Sequence, residues 1–331
     1  MTTPVNLSKA LLPIVAVAGI LPLCASAADD GTFNVIIEND GMISNDDGHF
    51  TSGFELNWTF APEATHWTQR VAEALPNGVI QRADRASYRL VHQIYTPDDI
   101  EDPQLIEDDR PYAGLVYGGI SLYEDLPITS DWLQATDLHL DVGLVGPSSQ
   151  ADSIQREVHR ITSSDRPRGW QHQLSDEPIV NLNWRRQWWH SSPLAGKQFA
   201  HGPSVGVALG NFYTYASTGY SVRWGDDAQG IPTLTPNPGS RHFLTSPSGW
   251  QWYVFANVEG YYMAHNLTLD GNVFSNSHSV DRKEWVGDVS AGLAIAWEDW
   301  QVTYSALQRT REFDGQENQD KIGMITLSKR F

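Results

Sequence analysis

Two stretches of this 331-residue chain collect side chains that can do chemistry. The first runs Glu38-Asn39-Asp40-Gly41-Met42-Ile43-Ser44-Asn45-Asp46-Asp47-Gly48-His49-Phe50-Thr51-Ser52-Gly53. Asp40, Asp46 and Asp47 join Asn and Thr around glycines, and hard oxygen donors on a bent backbone suit a calcium ion. The same residue types build ordinary hairpin turns. The alternate-acid spacing of an EF-hand is absent, so both readings stand at this point. The second stretch is Gln155-Arg156-Glu157-Val158-His159-Arg160-Ile161-Thr162-Ser163-Ser164-Asp165. Imidazole titrates near neutral pH, so His159 in a polar helix is a candidate general base; a surface histidine is the alternative. Arg156, Arg160, Arg166 and Arg168 crowd the same region of a chain whose net charge is −18. Guanidinium groups grip phosphate in a planar, bidentate way; balancing the neighbouring acids is the alternative. Gly202-Pro203-Ser204-Val205-Gly206 matches the G-x-S-x-G nucleophile pattern. That pattern needs a strand-to-helix elbow, and here it sits in a strand-like run, so it reads as chance.

The elements that must position these residues are strands. Period-two runs recur through the chain, and they are the mark of strands with two unlike faces. In 54–60, Phe54, Leu56, Trp58 and Phe60 oppose Glu55, Asn57 and Thr59. In 136–144, Leu138, Leu140, Val142 and Leu144 oppose Asp137, His139 and Asp141. The runs at 250–262, 285–297 and 300–306 repeat the pattern, often with Trp or Tyr at an end. Each is about the 9–11 residues of a tilted membrane strand. Aromatic ends suit the girdles of an outer-membrane barrel. The chain closes with Ile325, Leu327 and a terminal Phe331 in phase, like the last strand of such a barrel. The fold class that follows is all-β, an antiparallel transmembrane β-barrel of about 12 strands. The strands are expected near 33–39, 50–60, 86–95, 111–123, 134–145, 179–190, 198–209, 212–224, 249–262, 283–297, 300–311 and 321–331. Short helices at Thr68 to Leu75 and Ala151 to Ile161 are expected in the long extracellular loops. The even-numbered apolar residues of 50–60 should face lipid, which turns Thr51 and Gly53 toward the lumen. Arg110, in Asp108-Asp109-Arg110-Pro111-Tyr112-Ala113-Gly114, is expected to pair with lumen acids.

Composition and the N-terminus set the compartment. Lys9, the apolar run Ala10 to Leu23 and then Ala25-Ser26-Ala27 read as a secretory signal over 1–27, leaving a single barrel domain over 28–331. The acidic balance argues against a nucleic-acid partner. One cysteine, Cys24, excludes a disulfide framework and a thiolate metal site. Thirteen tryptophans exceed what a soluble core needs and fit two membrane interfaces.

An ordered set of short motifs then adds a resemblance. Asn39-Asp40, Gly48-His49-Phe50-Thr51-Ser52-Gly53, Gln93-Ile94-Tyr95-Thr96-Pro97, Asp109-Arg110-Pro111-Tyr112-Ala113-Gly114, Val145-Gly146-Pro147, and His159 followed by Gly169-Trp170 together resemble the outer-membrane lipid A 3′-O-deacylase family. The resemblance implies a twelve-stranded barrel in the bacterial outer membrane, acting as a monomer on lipid A or lipopolysaccharide of the outer leaflet. It implies a Ca2+-dependent esterase that releases the 3′-linked acyloxyacyl chain. In that reading Asp40, Gly48 and Thr51 hold the metal, His159 activates water, and Asn39 and Asp165 complete the catalytic group. Asp165 stands where better-known members carry Glu. The Lys expected after the Tyr-x-Pro motif is replaced by Asp98-Asp99-Ile100-Glu101-Asp102, so Arg156, Arg160, Arg166 and Arg168 are the candidates to meet a lipid phosphate. Two other readings remain: a phospholipase with a Ser nucleophile, and a non-enzymatic porin or structural barrel.

Overall fold

The computed structural model describes residues 31–43, 49–226, 241 and 249–331. The expected signal segment, Gly48 with its acidic neighbours, and most of the 225–248 connection lie outside the described residues. Twelve strands close one antiparallel barrel in sequence order, with β1 against β12. They are β1 (Gly31–Asn39), β2 (His49–Phe60), β3 (Arg85–Thr96), β4 (Ala113–Pro127), β5 (Trp132–Val145), β6 (Glu177–Leu194), β7 (Lys197–Gly210), β8 (Tyr213–Gly225), β9 (Gln251–Asn266), β10 (Trp285–Trp297), β11 (Trp300–Arg309) and β12 (Asp320–Arg330). Closure pairs Val35 with Leu327 and Ile37 with Ile325. The terminal Phe331 exchanges backbone hydrogen bonds with Gly31. A closed sheet leaves no unpaired edge, which is the condition for strands to cross lipid. Among the described residues, no helix is long and apolar enough to cross a membrane.

Outside, the barrel exposes Leu140, Val142, Val180, Leu182, Val205, Val207, Leu209, Val258 and Val289. Inside, it buries the polar face of the same strands. Arg89 reaches Asp141, with Glu55 at 3.7 Å. Arg185 lies 3.2 Å from Glu259, and Arg309 makes a two-pronged contact with Asp288 at 2.6 and 2.8 Å. Isolated buried charges are costly, so pairing them is what allows a charged lumen. Toward one end the lumen is filled by Tyr95, Tyr117, Tyr213, Tyr215, Tyr261 and Met263.

Strand parity corrects one expectation. In an even, antiparallel barrel the connections alternate ends. The end that holds Gly31 and Phe331 also holds residues 61–84, with α1 (Trp67–Ala74), and the ends of β8 and β9 at Gly225 and Gln251. Among the described residues, 40–43, 97–112, 146–176, 211–212, 267–284, which begins with the single turn α3 (Leu267–Asp270), and 310–319 lie at the opposite rim. The second helix, α2 (Ala151–Thr162), is at that opposite rim. So α1 is not in an extracellular loop if α2 is, although both helices form within a residue of their expected bounds.

Candidate functional site

Asn39 and Thr51 of the first stretch meet on the outer wall of the barrel, whereas Phe50 and Gly53 turn to the lumen. Asn39 ends β1 in extended backbone, opposite Ser52 and Gly323. The chain then tightens into a 3-10 turn, Asp40–Met42, in which Asp40 Oδ1 accepts from Gly41 N at 2.7 Å. The turn folds down over β12. A side chain at Gly323 would stand 2.5 Å from Met42 Cβ, so the turn needs glycine beneath it. Asn39 Nδ2 donates to Thr51 O at 2.5 Å, tying β1 to β2.

Thr51 departs from the strand phase expected of it. Phe50 pairs with Tyr95 and Ser52 with Ile94, so the register slips at Thr51. A bulge of this kind adds one residue and re-aims its neighbours. Phe50 therefore turns inward, its ring edge-on to Tyr95 at 5.3 Å, although its even number put it on the lipid side. Thr51 Oγ1 instead meets Thr96 Oγ1 at 2.8 Å. Gly53 keeps the lumen phase, facing Glu38.

The second stretch is α2, held against the same wall. Ala151, Gln155 and His159 lie four residues apart and form the buried face of the helix. Ile154, Val158 and Ile161 point away from the wall and are exposed. This is the reverse of a soluble amphipathic helix. The helix seats on Gly114 of β4, where any side chain would stand 2.2 Å from Ala151 Cβ. Trp170 locks it: its Nε1 donates to Gln155 Oε1 at 2.7 Å, and its ring lies 4.9 Å from Tyr112. Ile94, Tyr112, Ala151 and Trp170 form one apolar cluster. The Tyr112 hydroxyl donates to Ile100 O at 3.2 Å, and burial pushes its pKa up to about 12, so it stays a donor. Arg168 N donates to the same carbonyl at 2.8 Å. The Pro111-Tyr112-Ala113-Gly114 motif thus acquires a physical account: it is the seat of α2.

His159 is buried, and its Nδ1 contacts the main-chain carbonyl of Asp165. A carbonyl can only accept, so Nδ1 carries the hydrogen and Nε2 the lone pair. Asp165 itself is exposed. It meets the imidazole through its backbone, which revises the expectation that its carboxylate takes part. Of the four arginines, Arg156 pairs with Asp152 at 2.5 Å, and Arg160 with Glu157, whose carboxyl the guanidinium holds below the ordinary glutamate value. Arg166 and Arg168 are exposed. The neutralising account holds for Arg156 and Arg160. The structure brings Asn39, Asp40 and Thr51 into one group, and α2 with His159 onto the same wall at the same rim.

Two residues escaped the sequence reading. Thr96 completes the hydroxyl pair with Thr51; it stands in one of the ordered motifs, but no role was assigned to it there. His49 is buried, its Nδ1 2.6 Å from Asp320 Oδ1, with Asp98 and Asp109 each 3.6 Å from Nε2. Burial raises Asp109, but hydrogen bonds from His49 and the Asp98 backbone outweigh it and hold the carboxyl below the ordinary aspartate value. Arg110 fulfils its expectation: it stands 3.6 Å from Glu312, bonds Thr268 Oγ1 at 2.7 Å and lies over the Tyr95 ring. Ser204 of the G-x-S-x-G run is buried in mid-strand and accepts from Arg185, so it offers no nucleophile elbow.

As for a metal, no three His, Cys, Asp or Glu converge on a metal position among the described residues. The donors near Asn39 are the buried Asp40 carboxylate, the Thr51 and Thr96 hydroxyls and the Thr51 carbonyl, all hard oxygens. Hard oxygens of this kind fit a hard cation such as calcium.

The sequence model of the family described as Outer membrane protein LpxR matches residues 11–331. The chain belongs to the LpxR family. Its fold is similar to the structure of LpxR from Salmonella typhimurium, with a TM-score of 0.74, 20% identity, and coverage of 91% of this chain and 100% of that one. The beta domain of the Bordetella autotransporter BrkA is more distant, at a TM-score of 0.47 and 10% identity over 92% of this chain and 100% of that one. No curated protein sequence matches the chain. As an LpxR-family barrel the protein is an outer-membrane protein, and its family is the lipid A deacylase family that the ordered motifs resemble.

Proposed function

We propose that this chain is a carboxylic ester hydrolase that removes the 3′-O-linked acyloxyacyl chain of lipid A in the outer leaflet. The observation that carries this reading is the position of the candidate groups. Asn39, Thr51 and the buried face of α2 lie on the outer wall, with Asp40 in the turn that follows Asn39, and an acyl ester reaches that wall without leaving the membrane. His159 Nε2 takes a proton from water as the water oxygen adds to the ester carbonyl. The tetrahedral intermediate then expels the sugar oxygen, which recovers the proton from the imidazolium. The products are the acyloxyacyl acid and a free sugar hydroxyl, and no serine is acylated. Asp40 and Thr51, with Gly48, are the residues that would hold Ca2+, and the ion when bound supplies positive charge toward the developing oxyanion. Asn39 Nδ2 carries two hydrogens; one holds the Thr51 carbonyl, and the other serves the same oxyanion. Asp165 keeps the imidazole in its base-competent tautomer. The protein acts as a monomer, exported with its signal segment removed.

The two alternatives lose support. A serine phospholipase lacks its motif serine, because Ser204 is buried inside β7. A porin needs an open lumen, and here Arg89, Asp141, Glu259, Asp288 and the tyrosines fill it. The test is expression in an outer membrane lacking any deacylase, with lipid A read by mass spectrometry. The expected result is loss of the mass of the 3′ acyloxyacyl group, and retention of that mass on adding a calcium chelator. Unchanged lipid A, with calcium present and the barrel folded, overturns the reading.

A further inference from the structure

The wall beside Asp40 opens into a cleft of about 860 Å³ over the rim of β10, β11 and β12. Asp40 and His49 line one side, and Lys283, Arg311 and Lys321 line the other. We propose that these three cations bind the sugar-phosphate headgroup of the glycolipid whose ester reaches Asp40. The inference rests on the deacylase reading for the identity of the lipid, but not for the chemistry of the site.

Height comes first. The outward face of β10 runs from Trp285 through Val289, Leu293 and Ile295 to Trp297, with Trp285 73% exposed. Tryptophan at each end of an apolar strand face marks the two membrane interfaces. Lys283 lies two residues beyond Trp285, at headgroup level. On β12, Gly323 is opposite Asn39, and Lys321 is the next outward residue toward the rim. Two residues of strand span about 7 Å, so the cation side of the cleft begins one sugar's width from Asn39.

Charge comes second. In a chain of net charge −18, this cleft gathers three cations on one side, beside four acids, Asp40, Asp98, Glu317 and Asp320. Among the described residues neither Arg311 nor Lys321 is in an ion pair, and Lys283 pairs with the exposed Asp314. Exposed pairs of that kind are weak, and a doubly charged phosphate displaces them. Of the acids in the cleft, Asp320 is bonded to His49 and Gln316, and Asp98 lies 3.6 Å from His49. Asp40 is buried with Gly41 N donating to its Oδ1, and Glu317 is exposed at the mouth. The α2 arginines contrast with this, since Arg156 and Arg160 already face carboxylates of their own helix.

The test measures binding, without turnover, of bisphosphorylated lipid A and of its dephosphorylated counterpart to the full chain folded in detergent. The wild type is expected to prefer the phosphorylated lipid by about ten-fold, less at high salt. The triple variant Lys283→Ala, Arg311→Ala, Lys321→Ala should lose that preference while keeping the heat-modifiable gel mobility of a folded barrel. Lys329→Ala, at the opposite rim beside Asp299, should keep the preference. In turnover the triple variant should raise KM about ten-fold and leave kcat within about two-fold. No preference in the wild type, or an undiminished one in the triple variant, overturns the proposal. So does inorganic phosphate alone competing at the lipid's own affinity, which would make this a free-anion site. A wild type that binds with the preference but hydrolyses nothing upholds this site and sinks the deacylase reading instead.

Discussion

His159 and Asp40 carry the sharpest expectations at the scale of single residues. Removing the base or the carboxylate should lower lipid A deacylation by about 10²–10⁴-fold, the range for a general base or an oxyanion group. Because Asp40 lies in a turn outside the β ladder and His159 on a docked helix, His159→Ala and Asp40→Ala should both still migrate as folded, heat-modifiable barrels. Wild-type turnover in both variants would rule out the site. Asp165 separates two roles for one residue. If its carbonyl orients His159, Asp165→Asn leaves that contact intact, and activity should stay within about three-fold, as for a surface substitution. A loss of a hundred-fold or more would return the carboxylate to the chemistry. The nature of these residues was legible early, because a histidine in a polar helix and an acid-rich turn are unusual enough to single out. Their orientation was not: the slip at Thr51 is one residue long and leaves no mark in the alternation.

Docking of α2 is the deciding event at the scale of elements. Its polar face turns inward and its apolar face outward, so the helix is held by fit at Gly114 and by the Tyr112–Trp170 clamp. Gly114→Val puts a branched side chain where Ala151 Cβ already stands. Overpacking of this order costs about 1–3 kcal/mol, more than a short surface helix can offset. The helix should lift, with at least about ten-fold lower turnover, while the barrel still folds. Mass-spectrometric hydrogen exchange over 151–162 checks the displacement directly. Protection equal to wild type would show that the seat tolerates a side chain. The helix itself was legible from its sequence, since Ala151 to Thr162 has no breaker. Its partner was not, because Gly114 and Trp170 lie 37 residues before and 19 after Ala151.

The closed barrel and its charged lumen are the frame at the scale of the molecule. Arg89 sits between Asp141 and Glu55, fully inside. Arg89→Ala would leave two buried carboxylates without their cation, a cost of about 3–5 kcal/mol. The variant should lose heat-modifiable mobility at a lower temperature than the wild type. An unchanged unfolding temperature would mean that the lumen charges are water-compensated. The lumen networks also favour an outside position for the proposed chemistry. Strands whose inner faces interlock leave no path through, so a site must be built on the wall or at the rim.

The local alternation of side chains, the aromatic strand ends and the closing phenylalanine determined by themselves that this chain forms a barrel of about twelve strands. Strand phase is a local property, and lipid on one side with a polar lumen on the other makes it strict. The order of the motifs determined the family. Only the tertiary structure decided on which side of the wall the site stands, because one bulge inverts the phase locally and loop sidedness follows from the parity of all twelve strands. It also decided which cations are available. Arg156 and Arg160 are matched by carboxylates one helical turn away, whereas Lys283, Arg311 and Lys321 stand at the rims of β10, β11 and β12, and barrel closure brings Asp40 of the β1 end to their cleft.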